Sequence, residues 1–297
     1  MTQGEPHFQQ ILVPTDMNPT ALDALRYAKM LAQRFAGGVT LLYVDPIVFP
    51  TAGFGVDGPM YFADAPYHSE YLESELRKYA EDVLKDVKFA TATAAGQPVP
   101  LILQEAKKRR ADVIVMSTHG LTGWRRAIIG SVTQGVLHGG DVPVLSIRRS
   151  EVERPEVAIR KIVCPINFTT VASDALDYAE LLAKRCDAEL VVAHVAEQQD
   201  AGRGAALRSW VDARLKTAYR EVSLRGGAAE RVLDLIDDVD ADLLVIGAQH
   251  KLFRDETVIG ATTERLVRFA RVPVLSVPRP AAAVQATKER RAAAVTA

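Results

Sequence analysis

Two cysteines, Cys164 and Cys186, are all that the 297 residues contain. They cannot make a disulfide framework and fit no zinc spacing, so both read as reduced, at least partly buried thiols. No apolar run reaches the roughly 18 residues that a membrane span needs. The opening MTQGEPHFQQ has no apolar leader core, and a cytoplasmic location is the expectation. Excess charge is missing too: the formal net charge is -1, which gives no reason to expect a nucleic-acid partner. Catalytic signatures are also lacking. There is no G-x-x-x-x-G-K-[ST], no H-E-x-x-H and no G-x-S-x-G, and the six histidines show no paired metal spacing. One literal G-x-G-x-x-G, Gly53 to Gly58, is followed by Pro59 instead of a helix, so the dinucleotide context is absent.

What is present is a chain of ordinary composition, 48% hydrophobic and 25% charged, long enough for two domains with real cores. It repeats itself. Ile11-Leu12-Val13-Pro14-Thr15-Asp16 recurs as Ile162-Val163-Cys164-Pro165-Ile166-Asn167, and ALDALRYAKMLAQRF from Ala21 recurs as ASDALDYAELLAKRC from Ala172. Further on, ADVIVMSTHG from Ala111 meets ADLLVIGAQH from Ala241, and DVPVLS from Asp141 meets RVPVLS from Arg271. A tandem duplication follows, with units over 1–150 and 151–280 and a tail over 281–297.

In the first unit, apolar runs predict strands at 11–13, 39–44, 89–94, 113–116 and 142–147. Helical spacing predicts helices from Asn18-Pro19, as N-cap and first position, to Gly37-Gly38, and over 71–85, 99–109 and 131–138. Alternating strands and helices imply a parallel sheet covered on both faces. The expected order is 3-2-1-4-5, which places a ligand crevice at the carboxyl ends of strands one and four. Pro14-Thr15-Asp16 and Ser117-Thr118-His119-Gly120 then share that crevice.

The stretch Val113 to Ser131 carries the candidate chemistry. A buried strand opens into a glycine-bearing loop, and Gly130-Ser131 begins the next helix. Glycine permits close backbone approach, and the first N–H groups of a helix have no partner within it. Ser131-Val132-Thr133-Gln134 reads as a capping box, with Ser131 the N-cap. The residues alone leave an anion site and an ordinary capped helix both open. Asp16 is placed to accept hydrogen bonds from a ribose or base, or else sits as a loop acid at a helix start. His119 lies within phosphate reach, but no orienting acid makes it a general base. Arg125 and Arg126 fit a solvated face or added charge on the loop. The aromatic-bearing segment 45–68 reads as a long excursion, or as a cover for a ligand or partner.

At these residues the chain resembles the universal stress protein family. The family's nucleotide motif of Gly, two residues, Gly, nine residues, Gly and Ser or Thr is matched by Ser117-Thr118-His119-Gly120, then 121–129, then Gly130-Ser131, with serine in the first position. The V-P-T-D of Val13 to Asp16 and the V-P-V-L of Val142 to Leu145 also match. The resemblance implies ATP at the switch point, with Mg2+ or Mn2+ on the phosphates. It places Pro14, Thr15, Asp16 and Val44 at the adenosine, and Met116 and Ser117 at the ribose. His119, Gly120, Gly130, Ser131, Val132 and Thr133 fall at the phosphates. It further implies two units paired through their last strands as an internal pseudo-dimer, with scope for a homodimer and an unidentified protein partner. The second copy departs: Asn167 replaces the acid, His250 stands at the Gly120 position and Ala261 at Ser131. A structural or weakly binding second half is therefore expected. Three functions compete at this level: a nucleotide-dependent stress-response module, a slow ATPase or nucleotidyl-transfer enzyme, and an interaction scaffold without nucleotide.

Overall fold

The computed structural model describes residues 6–46, 65–118, 129–148, 156–196, 204–248, 250–253 and 256–278. The first half runs β1 (Gln10–Thr15), a 3-10 turn (Pro19–Ala21), α1 (Leu22–Phe35), β2 (Gly38–Asp45), α2 (Ala65–Leu84), β3 (Lys88–Ala95), α3 (Pro98–Lys108), β4 (Val113–Ser117), α4 (Ser131–Gly139) and β5 (Val144–Ile147). The second half repeats it as β6 (Lys161–Ile166), α5 (Thr170–Cys186), β7 (Glu189–Ala196), α6 (Gly204–Asp212), β8 (Arg220–Arg225), α7 (Ala228–Asp238) and β9 (Leu243–Ala248). It then adds β10 (His250–Phe253) and β11 (Glu256–Ile259) before α8 (Ala261–Phe269) and β12 (Val274–Pro278).

Ten strands form one sheet in the order β3-β2-β1-β4-β5-β12-β9-β6-β7-β8. Each half has the expected 3-2-1-4-5 arrangement and is parallel throughout. The halves meet at the last strands, antiparallel, with Leu145 opposite Leu275. Alternation along the strands divides the core into two layers. Ile11, Val13, Val113 and Val115 face the side covered by α1, α2, α5 and α6. Leu12, Leu42, Ile114 and Met116 face α3, α4, α7 and α8. Each layer continues across the seam. Cys164 is wholly buried in β6, where burial and then the nearby Asp177 push its thiol up to about 12.

Several element ends differ from the sequence expectation. Pro19 opens the 3-10 turn, so α1 begins at Leu22 with Ala21 as its N-cap, and the Asn18 carbonyl accepts from Ala21 N–H. Ala36 takes the left-handed conformation that ends α1, with φ 52°. The following glycine answers a different need: a Cβ on Gly37 would lie 2.6 Å from the Phe8 carbonyl oxygen. Helix α2 starts at Ala65, before the expected Tyr71, and β5 starts after Pro143. The G-x-G-x-x-G stretch, most of the long excursion, Arg125, Arg126, most of the linker and the C-terminal tail lie outside the described residues.

Candidate functional site

The crevice originates in the sheet. Strands β1 and β4 pair only at Ile11↔Val113 and Leu12↔Ile114, whereas β1 stays paired with β2 as far as Thr15↔Tyr43. Beyond Leu12 and Ile114, β1 and β4 therefore part, and helices leave their carboxyl ends toward opposite faces of the sheet. A cleft of about 380 Å³ opens there. It is lined by Pro14, Thr15, Asp16, Val44, Met116, Ser117, Gly130, Ser131, Val132 and Thr133, together with Ala21, Leu42, Tyr43, Pro46, Pro98 and Ile102. The structure thus brings ten sequence candidates into one place. His119 and Gly120 lie outside the described residues.

The floor is apolar: Leu42, Val44, Ile102 and Met116 are all buried. One rim is the turn after β1. Its exposed Asp16 accepts from Asn18 N–H at 3.1 Å, and the Thr15 hydroxyl oxygen accepts from Met17 N–H at 3.0 Å, with Met17 left-handed at φ 56°. The Tyr79 hydroxyl closes the same turn from α2, donating to Asn18 O at 2.8 Å. Burial is the main cause that raises the Tyr79 phenol to about 12. Tyr43 is also shifted upward, by burial first, then by the Asp45 and Asp16 carboxylates. The rim is therefore acidic, and both phenols stay protonated near neutral pH.

The opposite rim is the start of α4. Here the expected capping box is corrected: Gly130 is the N-cap, Ser131 is the first helical residue and no side chain caps the helix. The exposed Ser131 hydroxyl is consequently not committed to Gln134, whose N–H goes to Gly130 O at 2.9 Å. Gly130 N–H donates to Thr118 O at 2.8 Å, and the Thr133 hydroxyl donates to Ser117 O at 2.9 Å. These two bonds clamp the helix start to the end of β4. A Cβ on Gly130 would sit 3.2 Å from Thr118 O, so the clamp is closest to a fit with glycine. The first N–H groups of α4 belong to Ser131, Val132 and Thr133, all on the cleft wall, where the positive end of the helix dipole favours an anion. No acidic residue occupies the first turn of α4. The site thus fits a ligand with an apolar planar part, hydroxyl or amine donors for Asp16, and a terminal anion.

Sequence reasoning missed Pro98 and Ile102. Both come from α3, where they read only as a helix start and an inward-facing residue. Among the described residues, no group of three or more His, Cys, Asp or Glu side chains is placed to hold a metal. Nor is any described helix long and apolar enough to cross a membrane.

Fold and site together define a class: a tandem, doubly wound α/β protein with a cleft at the switch point of each unit. The chain belongs to the universal stress protein family, whose sequence model matches residues 7–148 and again 158–278. It is 32% identical over 152 residues to universal stress protein MJ0531 of Methanocaldococcus jannaschii, covering 50% of this chain and 88% of the relative. Universal stress protein Rv2623 of Mycobacterium tuberculosis aligns along both halves, with 23% identity over 89% of this chain and 95% of its own length. Among solved structures, a universal stress protein from Archaeoglobus fulgidus superposes with a TM-score of 0.73 at 22% identity, covering 91% of this chain and 98% of that one.

Proposed function

We propose that the first-half cleft binds ATP, and that the protein is a nucleotide-dependent regulatory module of the stress response. One observation carries this reading: an acidic rim, an apolar slot and a helix N-terminus without a capping side chain converge on a single cleft of about 380 Å³. That size lies within the range of roughly 300–1,000 Å³ usual for small-molecule sites. In this arrangement the base lies against Val44, Ile102 and Met116, and the ribose hydroxyls donate toward Asp16. The phosphates meet the N–H groups of Val132 and Thr133 and the Ser131 hydroxyl. Mg2+ or Mn2+ would accompany the phosphates and neutralise part of their charge.

Binding, not turnover, is the activity proposed. The described part of the cleft holds the Asp16 carboxylate and the Tyr43 phenol, which stays protonated near neutral pH. The test has two arms. Protein purified under native conditions is denatured and any released nucleotide identified by chromatography; nucleotide-free protein is then titrated with ATP by calorimetry. One equivalent of ATP per chain is expected. Absence of both carried and added nucleotide would favour a scaffold, and magnesium-dependent turnover of ATP would favour an enzyme.

A further inference from the structure

The second half retains the cleft while changing its chemistry. At its switch point β6 and β9 also pair at only two positions, Ile162↔Leu243 and Val163↔Leu244, and a cleft of about 370 Å³ opens beyond them. The floor repeats the first: Pro165, Val195, Val232 and Ile246 stand where Pro14, Val44, Ile102 and Met116 stand. The anion end does not. Ala261, the first residue of α8, has no hydroxyl, and the first turn carries Glu264, a carboxylate paired with Arg268 at 3.3 Å, where the first half has no acid.

The described backbone between β9 and α8 is also partly committed elsewhere. Strands β10 and β11 pair antiparallel from His250↔Ile259 to Phe253↔Glu256, and β11 lies against α4 of the first half. The ladder engages the inward-facing N–H groups of this stretch. A hairpin docked on the other half is not a glycine loop wrapped around a phosphate.

Thr262 and Thr263 keep hydroxyls on the α8 wall, and a further polar feature is on the rim. Thr169 Oγ1 accepts from Ala172 N–H at 3.3 Å, and its O–H donates to Asn167 Oδ1 at 2.7 Å. That bond fixes the amide orientation and turns Asn167 into a donor through its NH2 group. The first cleft offers a carboxylate acceptor at the same position.

We propose that the second cleft is a separate site for an uncharged nucleoside, a base and sugar without phosphate, whose ring nitrogen or carbonyl accepts from the Asn167 amide. The base-in-slot orientation rests on the ATP reading of the first cleft; the absence of phosphate rests on the second half alone.

The test uses the full chain carrying Val44→Trp, which fills the slot of the first cleft, with radiolabelled adenosine in equilibrium dialysis. About one equivalent is expected, half-saturating at or below about 1 mM. ATP should bind this variant no more than about threefold tighter than adenosine, since the phosphates gain nothing. Adding Val195→Trp should fill the slot and lower adenosine affinity at least tenfold. If that chain does not fold, the exposed Asn167→Ala should still lower it about fivefold. Lack of saturable adenosine uptake, uptake indifferent to both substitutions, or ATP binding tenfold tighter than adenosine would each overturn the proposal. Failure of the first-cleft reading is seen separately, as a wild-type chain that binds ATP no more tightly than the Val44→Trp variant does.

Discussion

At the scale of the residue, Gly130 and Gly247 answer to separate constraints. Gly130 has an ordinary backbone conformation, φ -59°, so its role is close approach to Thr118 O. Gly130→Val would press a branched side chain into the clamp between β4 and α4 and displace the helix start from the ligand. ATP affinity should fall at least tenfold, about 1.4 kcal/mol, while circular dichroism and the thermal midpoint stay near wild type. Undiminished affinity in calorimetry would remove the glycine motif from the binding argument. Gly247 answers to a different constraint. A Cβ there would lie 2.7 Å from the Val171 backbone oxygen, although the first half carries Ser117 at the matching position. Gly247→Ser should therefore cost about 1–3 kcal/mol of stability through overpacking, read by urea unfolding. Ser117→Gly should cost less than that.

At the scale of the element, helix α3 allows a test with a worked sign. Glu105 is held below the usual carboxylate range, first by its hydrogen bond from Lys108 at 2.7 Å and also by Arg109 at 2.8 Å, against the opposing effect of burial. A carboxylate whose folded pKa is lowered contributes stability above its unfolded pKa and loses it as pH falls through the folded value. Glu105→Gln should accordingly be less stable than wild type at neutral pH, by up to about 1 kcal/mol, since one partner is an exposed lysine. The two proteins should converge on acidification below the lowered pKa, as followed by denaturant midpoints against pH. The sequence revealed elements better than their ends. Buried parallel strands advertise themselves as β-branched runs such as Val113-Ile114-Val115, because both faces are covered. Helix ends depend on contacts that local pattern does not contain. Ala36 takes the left-handed cap while Gly37 is required by its approach to Phe8, and Ser131 enters α4 because Gly130 already makes the cap. One repeated signal went unread: Asp112 accepts from Gln9 and Gln10 N–H at 2.8 Å, and Asp242 accepts from Arg160 and Lys161 N–H at 2.8 and 3.0 Å. The recurring Ala-Asp before β4 and β9 thus fastens the start of each unit's first strand. Cleft residues on β1, β4 and α4 were legible from the motif, whereas Pro98 and Ile102 carry only the periodicity of an ordinary core helix.

At the scale of the whole molecule, the seam between β5 and β12 joins the hydrophobic layers of both halves. Leu145 and Leu275 face each other across it and are almost fully buried. Scanning calorimetry of the wild type is expected to show one transition, because each half lacks a complete wall without the other. Leu275→Ala should destabilise by about 2–5 kcal/mol and lower the unfolding of both halves together. Two well-separated wild-type transitions would contradict the shared core. The antiparallel seam also settles a matter of stoichiometry. Two copies joined by a peptide linker meet at an effective concentration set by that linker, so their pairing does not weaken on dilution as a bimolecular dimer does. In a dimer of identical chains, every substitution appears on both sides of the interface. Here one cleft can drift while the other is kept, and each drifted copy is delivered one-to-one with its unaltered counterpart.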